Sequence, residues 1–401
     1  MATNNNNKAL NVPHLRFTEF SGVWHKHSLG EIGETIIGLT YKPSDVVEHN
    51  GVIVFRSSNI KNGVIDYSDL VRVNKQIKDR IITKENDILV CARNGSQRLI
   101  GKNAIIKQED THNTFGAFMM VYRSIDNPFI LPLLSTKRYF SQVGENLGAR
   151  INQITTSDFN GFEFYFPESH AERAKIAELF RLLDKRIATQ NKIIEKLESL
   201  IRGIVTKICS GAFVKGKYVF LRDILIERHI KNTENYEVYS VSVSQGIINQ
   251  IDYLGRSFAA KETLHYNVVN YGDIVYTKSP TGDFPYGIVK RSHILKPVAV
   301  SPLYGVYQPK NDYIGKYLHL YFKSPINTKN YLHRLIQKGA KNTINITNSH
   351  FLDNNVFIPE KPELINIVNL TSAIEDKLVL ASRMLDSLKS QKGYLLSKMF
   401  I

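Results

Sequence analysis

The sequence predicts an α+β fold with two tandem β-rich domains, each followed by one long helix. Three observations carry this: an ordered internal repeat, short β-branched runs broken by turn residues, and sevenfold ladders of apolar residues. The repeat is the strongest. Gly148-Ala149-Arg150 followed by Ile154-Thr155-Thr156-Ser157-Asp158-Phe159 returns as Gly339-Ala340-Lys341 followed by Ile346-Thr347-Asn348-Ser349-His350-Phe351. Asn86-Asp87-Ile88-Leu89-Val90 returns as Gly272-Asp273-Ile274-Val275-Tyr276, and Phe166-Pro167 as Ile358-Pro359. Offsets of 186 to 192 residues, always in the same order, mark a tandem duplication. The expected divisions are 1–167 and 210–359 for the β-rich domains, and 168–209 and 360–401 for the helices.

Within the first copy, β-branched and aromatic runs fall at Gly51 to Phe55, Asp87 to Cys91 and Gly116 to Tyr122. The second copy has them at Val238 to Val243, Asp273 to Thr277 and Tyr304 to Tyr307, again between Asn-Gly, Gly and Pro turns. Each copy then changes period. Ser169 and Glu172 read as a capping box after Pro167. Beyond it Phe180, Ile187, Ile194, Ile201 and Ile208 repeat every seven residues beside Ile176, Leu183, Gln190, Leu197 and Ile204. The second helix repeats Ile367, Ile374, Ala381, Leu388 and Leu395 beside Thr371, Leu378, Leu385, Lys392 and Met399. Such seams suit a coiled coil, and a run of ~40 helical residues would be ~60 Å long. A helical hairpin that merely closes a core is the plainer alternative.

Composition narrows the function. The 401 residues carry 52 Lys and Arg against 37 Asp and Glu, a net charge of +15. The excess is +6 over residues 1–210 and +9 over the rest, so no tail accounts for it. This suits a polyanionic partner such as nucleic acid. With only Cys91 and Cys209, neither a disulfide framework nor a thiolate zinc site is expected. Met1 to Leu10 is Asn-rich without the apolar stretch of a signal peptide, and no run reaches the ~18 apolar residues of a membrane span. The chain therefore reads as cytoplasmic.

Catalysis finds no footing. Ser301-Pro302-Leu303-Tyr304 lacks the second proline of an adenine methyltransferase tetrapeptide, no glycine loop follows a strand to hold that cofactor, and no phosphate loop is present. Glu375-Asp376-Lys377 could be half of a nuclease motif, but it lies on the second heptad helix, where such residues normally face water.

Two β-rich units of unequal sequence, each followed by a similar helix, closely resemble the specificity (S) subunit of type I restriction–modification systems. The residues carrying the likeness are Val12-Pro13, Leu15-Arg16-Phe17, Trp24, the Asp87-Ile88-Leu89 and Asp273-Ile274-Val275 strands, and Gly148 and Gly339. The pattern Pro167, Glu172-Arg173, Lys175-Ile176-Ala177, Leu183-Asp184 adds to it. Two departures stand out: Arg173 replaces the family's usual Gln, and the second helix lacks a capping box. The resemblance implies that each β-rich unit is a target recognition domain reading half of a split double-stranded DNA sequence. It further implies that the helices pair as an antiparallel coiled-coil spacer with pseudo-twofold symmetry. Two methyltransferase (M) subunits using S-adenosylmethionine, and motor (R) subunits using ATP and Mg, would then be the partners. No cofactor is expected in this chain itself.

DNA reading needs Arg and Lys at phosphates, and Arg, Asn, Gln or Ser at base edges. The foremost candidates are Arg93, Asn94, Ser96, Gln97 and Arg98 with Lys102 nearby, and their counterparts Lys278, Ser279 and Thr281. A second set is Arg56, Ser58 and Asn59 with Ser244 and Gln245. A third is Arg150, Asn152 and Gln153 with Lys341, Asn342 and Asn345. The Tyr-rich second domain (Tyr253, Tyr266, Tyr271, Tyr276, Tyr286) is expected to pack its sheet rather than stack on bases. Two other classes stay open: a non-catalytic coiled-coil scaffold that binds only proteins, and an RNA-binding protein, which should show aromatics on an exposed sheet face.

Overall fold

The computed structural model describes residues 11–147, 152–209, 211, 214–255, 262–338 and 344–401. They form two compact units, one of residues 1–191 with 383–401, the other of residues 192–382.

In the first unit the chain opens with a strand, His25–Ser28, that pairs antiparallel with the last, Glu163–Phe166. Between them lies an antiparallel sheet in the order Glu34–Ile37, Met119–Arg123, Ile88–Cys91, Asn103–Ile105. The second unit repeats the plan. Gly216–Phe220 pairs with Asn355–Pro359, around a sheet ordered Leu225–Glu227, Gly305–Pro309, Ile274–Thr277, Ile288–Arg291. The internal repeat is thus a repeat of topology.

The central strands explain why their sequence is apolar throughout rather than alternating. Ile88–Cys91 and Ile274–Thr277 are buried along their whole length. Successive side chains point to opposite faces. Ile88 and Val90 join a core with Trp24, Tyr122 and Phe159, while Leu89 and Cys91 join another with Phe55, Phe115 and Val121. A strand covered on both faces has no water-facing side to mark with polar residues.

A buried carboxylate leads each central strand. Asp87 accepts from Arg123 Nε at 2.8 Å and Nη2 at 2.7 Å, and also from the backbone N–H of Lys84. Asp273 accepts from Arg228 Nε at 2.8 Å and Nη2 at 3.0 Å, and from the N–H of Asn270. Just before them Asn86 and Gly272 have φ of 68° and 88°, the left-handed region that Asn and Gly tolerate best. That is why Asn in one copy stands where Gly stands in the other. Downstream, Thr155 Oγ accepts from the N–H of Asp158 and Thr347 Oγ from that of His350, turning Phe159 and Phe351 inward against Tyr122 and Tyr307.

The units differ outside this frame. The first adds a second sheet, Thr114–Phe115, Val52–Phe55, Val71–Val73, Val46–Val47, with one parallel pairing. The second has instead two short ladders, Tyr239–Ser242 with Gly246–Asn249 and Asn267–Val269 with Val298–Val300. Of the tyrosines expected to pack, Tyr276 and Tyr266 are buried, whereas Tyr253 and Tyr271 are exposed. Ser301 to Tyr304 forms a turn ahead of the strand Gly305–Pro309, and Glu375 holds Lys323 Nζ at 2.8 Å.

The long helices are His170–Cys209 and Lys361–Met399. In the first unit Ile176, Ala177, Phe180 and Leu183 pack with Leu395, Leu396, Met399 and Phe400, and Phe180 stacks on Phe400. Rising numbers meet falling ones: Phe180 faces Phe400, and Asp184 accepts from Lys392. The helices therefore run antiparallel, and the polar Lys392 keeps its seam position by reaching that carboxylate. In the second unit Ile201 and Val205 pack with Ile374 and Leu320. Thr371, also on the seam, donates its hydroxyl to the carbonyl of Ile367.

The capping box forms only in half. Ser169 Oγ accepts from the N–H of Glu172, but the Glu172 carboxylate turns inward to the Arg16 fork, at 2.7 Å on both oxygens. The buried acid answers a half-buried cation instead of the helix start, tying the residues around Arg16 to the helix.

Breaking a buried ion pair costs about 3–5 kcal/mol, less where the widowed partner still reaches water. Arg123 and Arg228 do reach water in part. Asp87→Ala and Asp273→Ala should therefore each destabilise by about 3 kcal/mol in guanidinium unfolding of the full chain, the low end of that range. An unchanged midpoint would show that these carboxylates do not hold their strands.

Candidate nucleic-acid interface

Beyond Cys91 the first central strand runs straight into Arg93 to Arg98. Here three candidate sets that are distant in sequence meet. Asn94 donates its amide to Ser57 Oγ at 2.9 Å, joining this loop to the Arg56 to Asn59 loop. Asn152 donates to the carbonyl of Gly95 at 3.1 Å and accepts from the N–H of Asn94, while Gln153 forms a backbone bridge with Arg93. Asn94 Oδ1 also accepts from the N–H of Ser96, closing the loop on itself.

The side chains at this junction divide into two kinds. Ser96, Gln97 and Arg98 are exposed, as are Arg93 and Ser58, and Lys102 is half-buried. Neither Arg93 nor Arg98 has a carboxylate partner among the described residues, and both residues are exposed. Arg56, by contrast, gives Nη2 to Asp69 at 2.8 Å. Asn59 is 0% exposed; its amide donates to the carbonyls of Asp66 and Asp69 and accepts from the N–H of Arg56. It fixes the loop's shape and presents nothing outward.

The second unit brings its counterparts together by other means. Ser244 and Gln245 are exposed at the tip of the hairpin Tyr239–Ser242 and Gly246–Asn249. Lys278, Ser279 and Thr281 are exposed beyond the strand Ile274–Thr277, and Thr281 exchanges backbone hydrogen bonds with Phe284 at 3.1 and 2.9 Å. Lys290 joins the two. This buried lysine donates Nζ to the carbonyl of Val243 at 2.7 Å and lies 5.9 Å from the centre of the Phe284 ring. Burial, with Lys323 nearby, pushes its ammonium down to about 8.

Arg150, Lys341 and Asn342 lie outside the described residues, as does the side chain of Asn345, whose backbone pairs with Gln337. Sequence reasoning missed Lys290 and the role of Ser57. A signal for Lys290 was present: two consecutive cations, Lys290 and Arg291, directly follow the apolar Ile288 and Val289. Ser57 carried none, because a hydroxyl in a polar loop is ordinary.

Burial pushes the thiols of Cys91 and Cys209 up to about 11, and among the described residues no three His, Cys, Asp or Glu are grouped to hold a metal ion. No helix among them is long and apolar enough to cross a membrane.

Residues 22–199 match the type I restriction modification DNA specificity domain. The chain is 27% identical over 202 residues to the type I restriction enzyme EcoKI specificity subunit of Escherichia coli (strain K12), covering 48% of this chain and 43% of that protein. It is 26% identical over 197 residues to the StySPI specificity subunit of Salmonella potsdam, covering 47% and 42%. These matches span less than half the length of both relatives. In fold, it superposes on the type I restriction–modification S subunit from M. genitalium with a TM-score of 0.64 and 17% identity, over 97% of this chain and 99% of that one. Specificity subunits are the non-catalytic components of such complexes. Over residues 22–199 this chain is thus similar to the DNA specificity domain of type I restriction–modification systems, and over nearly its whole length it shares the fold of a type I restriction–modification S subunit.

Proposed function

We propose that this chain is the non-catalytic DNA-recognition subunit of a type I restriction–modification complex. It binds a bipartite target with a fixed gap and directs adenine methylation or cleavage by partner subunits. One observation carries the reading: loops rich in Arg, Asn, Gln and Ser converge at the end of the central strand in the first unit. The second unit gathers its own loops at the matching place with different residues. A shared frame with unlike loops suits the reading of two unlike half-sites. A scaffold that binds only proteins would not need loops of this composition.

The partners are double-stranded DNA, two methyltransferase subunits and motor subunits. S-adenosylmethionine, ATP and Mg are used by those partners, with none held here, and the complex works in the cytoplasm. Candidate base readers in the first unit are Arg93, Ser96, Gln97 and Arg98, with Asn94 and Asn152 shaping the loop. In the second unit they are Ser244, Gln245, Ser279 and Thr281, with Lys278 at a phosphate.

Arg98→Ala should relax discrimination in one half-site by about 1–3 kcal/mol. Lys278→Ala should weaken all sequences alike and flatten the salt dependence. Methylation-site sequencing of the reconstituted complex reads the first effect and a salt titration the second. An unchanged half-site with full activity in Arg98→Ala removes that loop from the reading surface.

The helices act as the ruler between half-sites. Beyond the contact of Asp184 with Lys392, one heptad can be removed from each helix, Ile187 to Ile193 from the first and Ser382 to Leu388 from the second. Deleting both segments keeps the heptad phase and shortens the pair by about 10 Å. The gap should shrink by about three base pairs, or methylation should cease because the units no longer share a face of the duplex. Full-rate methylation at the original spacing would show that the helices do not set the gap.

A further inference from the structure

Between Thr114–Phe115 and Met119–Arg123 the chain turns through Gly116, Ala117 and Phe118. Phe115 and Met119 are buried, yet Phe118 is 60% exposed. Its carbonyl accepts from the N–H groups of both Ala92 and Arg93 at 3.0 Å, which fixes it beside the Arg93 to Arg98 loop. Over its ring, 5.1 Å from the centre, lies the guanidinium of Arg93. A single exposed phenylalanine is ordinary. One held by two backbone hydrogen bonds at the meeting point of three candidate reading loops, under an arginine with no acidic partner among the described residues, is not.

We infer that Phe118 and Arg93 act as one reading pair, the guanidinium on a guanine and the ring on the C5 methyl group of a neighbouring thymine. In the major groove guanine offers O6 and N7 to an arginine fork, and thymine offers a methyl group that takes apolar contact. Base pairs stack about 3.4 Å apart, so two groups 5.1 Å apart can meet neighbouring pairs. The ring also restrains the arginine, because a cation over an aromatic face is attracted to it. The inference rests on the DNA-reading function proposed above and names one dinucleotide step within its target.

The full chain is first used to enrich a random-sequence duplex library. Each thymine of the enriched duplex is then replaced in turn by deoxyuridine, which lacks only the methyl group. One replacement, in the element whose discrimination falls in Arg93→Ala, should weaken binding about fourfold, the worth of one buried methyl-sized group. Replacing the adjacent guanine by 7-deazaguanine should weaken the wild type but not Arg93→Ala. Phe118→Ala should lose the deoxyuridine effect and Phe118→Leu should retain most of it, with melting temperatures unchanged. If the wild type enriches no sequence, the DNA-reading function and this inference both fall. If it enriches a sequence but no thymine matters, or Phe118→Ala is equally sensitive, the inference alone is overturned. Loss of binding in Phe118→Ala without any deoxyuridine effect would mean a wedge between base pairs, which also overturns it.

Discussion

A carboxylate without water must find a cation, and each unit of this chain is built round one that has. Asp87 with Arg123, and Asp273 with Arg228, sit at the start of a strand whose every residue is buried. The pair cannot be relaxed by rotating the acid outward, because the strand's side chains belong to cores on both faces. What is fixed at the start of the strand is therefore fixed at its end. That end is Cys91 in one unit and Thr277 in the other, and the next residues are the exposed Arg93 to Arg98 and Lys278 to Thr281. Buried electrostatics at one end thus give a defined starting point to a polar loop at the other. A loop on a rigid element places its side chains more accurately than one on a mobile stalk.

The two units keep this frame and change everything round it. The order of the four central strands is identical, down to a left-handed residue before the aspartate and a threonine-capped turn that drives a phenylalanine onto a tyrosine. Their outer strands share neither number nor pairing. Frame residues answer to packing, where one misplaced methylene is felt. Loop residues answer to whatever they touch outside. Duplication followed by divergence of the loops and outer strands gives two unlike surfaces on one kind of frame.

Much of the frame was legible in the sequence because it depends on local rules. The β-branched runs, the heptad seams and the matched Asn86-Asp87 and Gly272-Asp273 all sit where their periods and turn preferences place them. Departures arise where a long-range partner outbids a local one. Glu172 was read as closing a capping box, but Arg16, distant in sequence, takes its carboxylate. Lys392 is a polar residue on an apolar ladder, and its partner there, Asp184 on the facing helix, is 208 residues away in sequence. The site was legible as composition but not as geometry. No rule of spacing says that Asn94 reaches Ser57, or that Asn59 faces inward while Ser58 beside it faces water. Phe118 was invisible for the same reason: within an apolar run, only the fold tells which aromatic is left outside.

The junctions of the two units show how the same task is met by unlike chemistry. In the first, a neutral amide, Asn94, ties two loops together, and both its oxygen and its nitrogen are satisfied. In the second, a buried ammonium does so, with one carbonyl and one ring as its surroundings. Burying a cation costs more than burying an amide, which is why the Lys290 ammonium is pushed down so far. The longer side chain compensates in reach. It spans from a strand of the central sheet to the tip of a hairpin. An amide suffices to tie one loop to the next, and a lysine reaches from a strand of the central sheet to the hairpin tip.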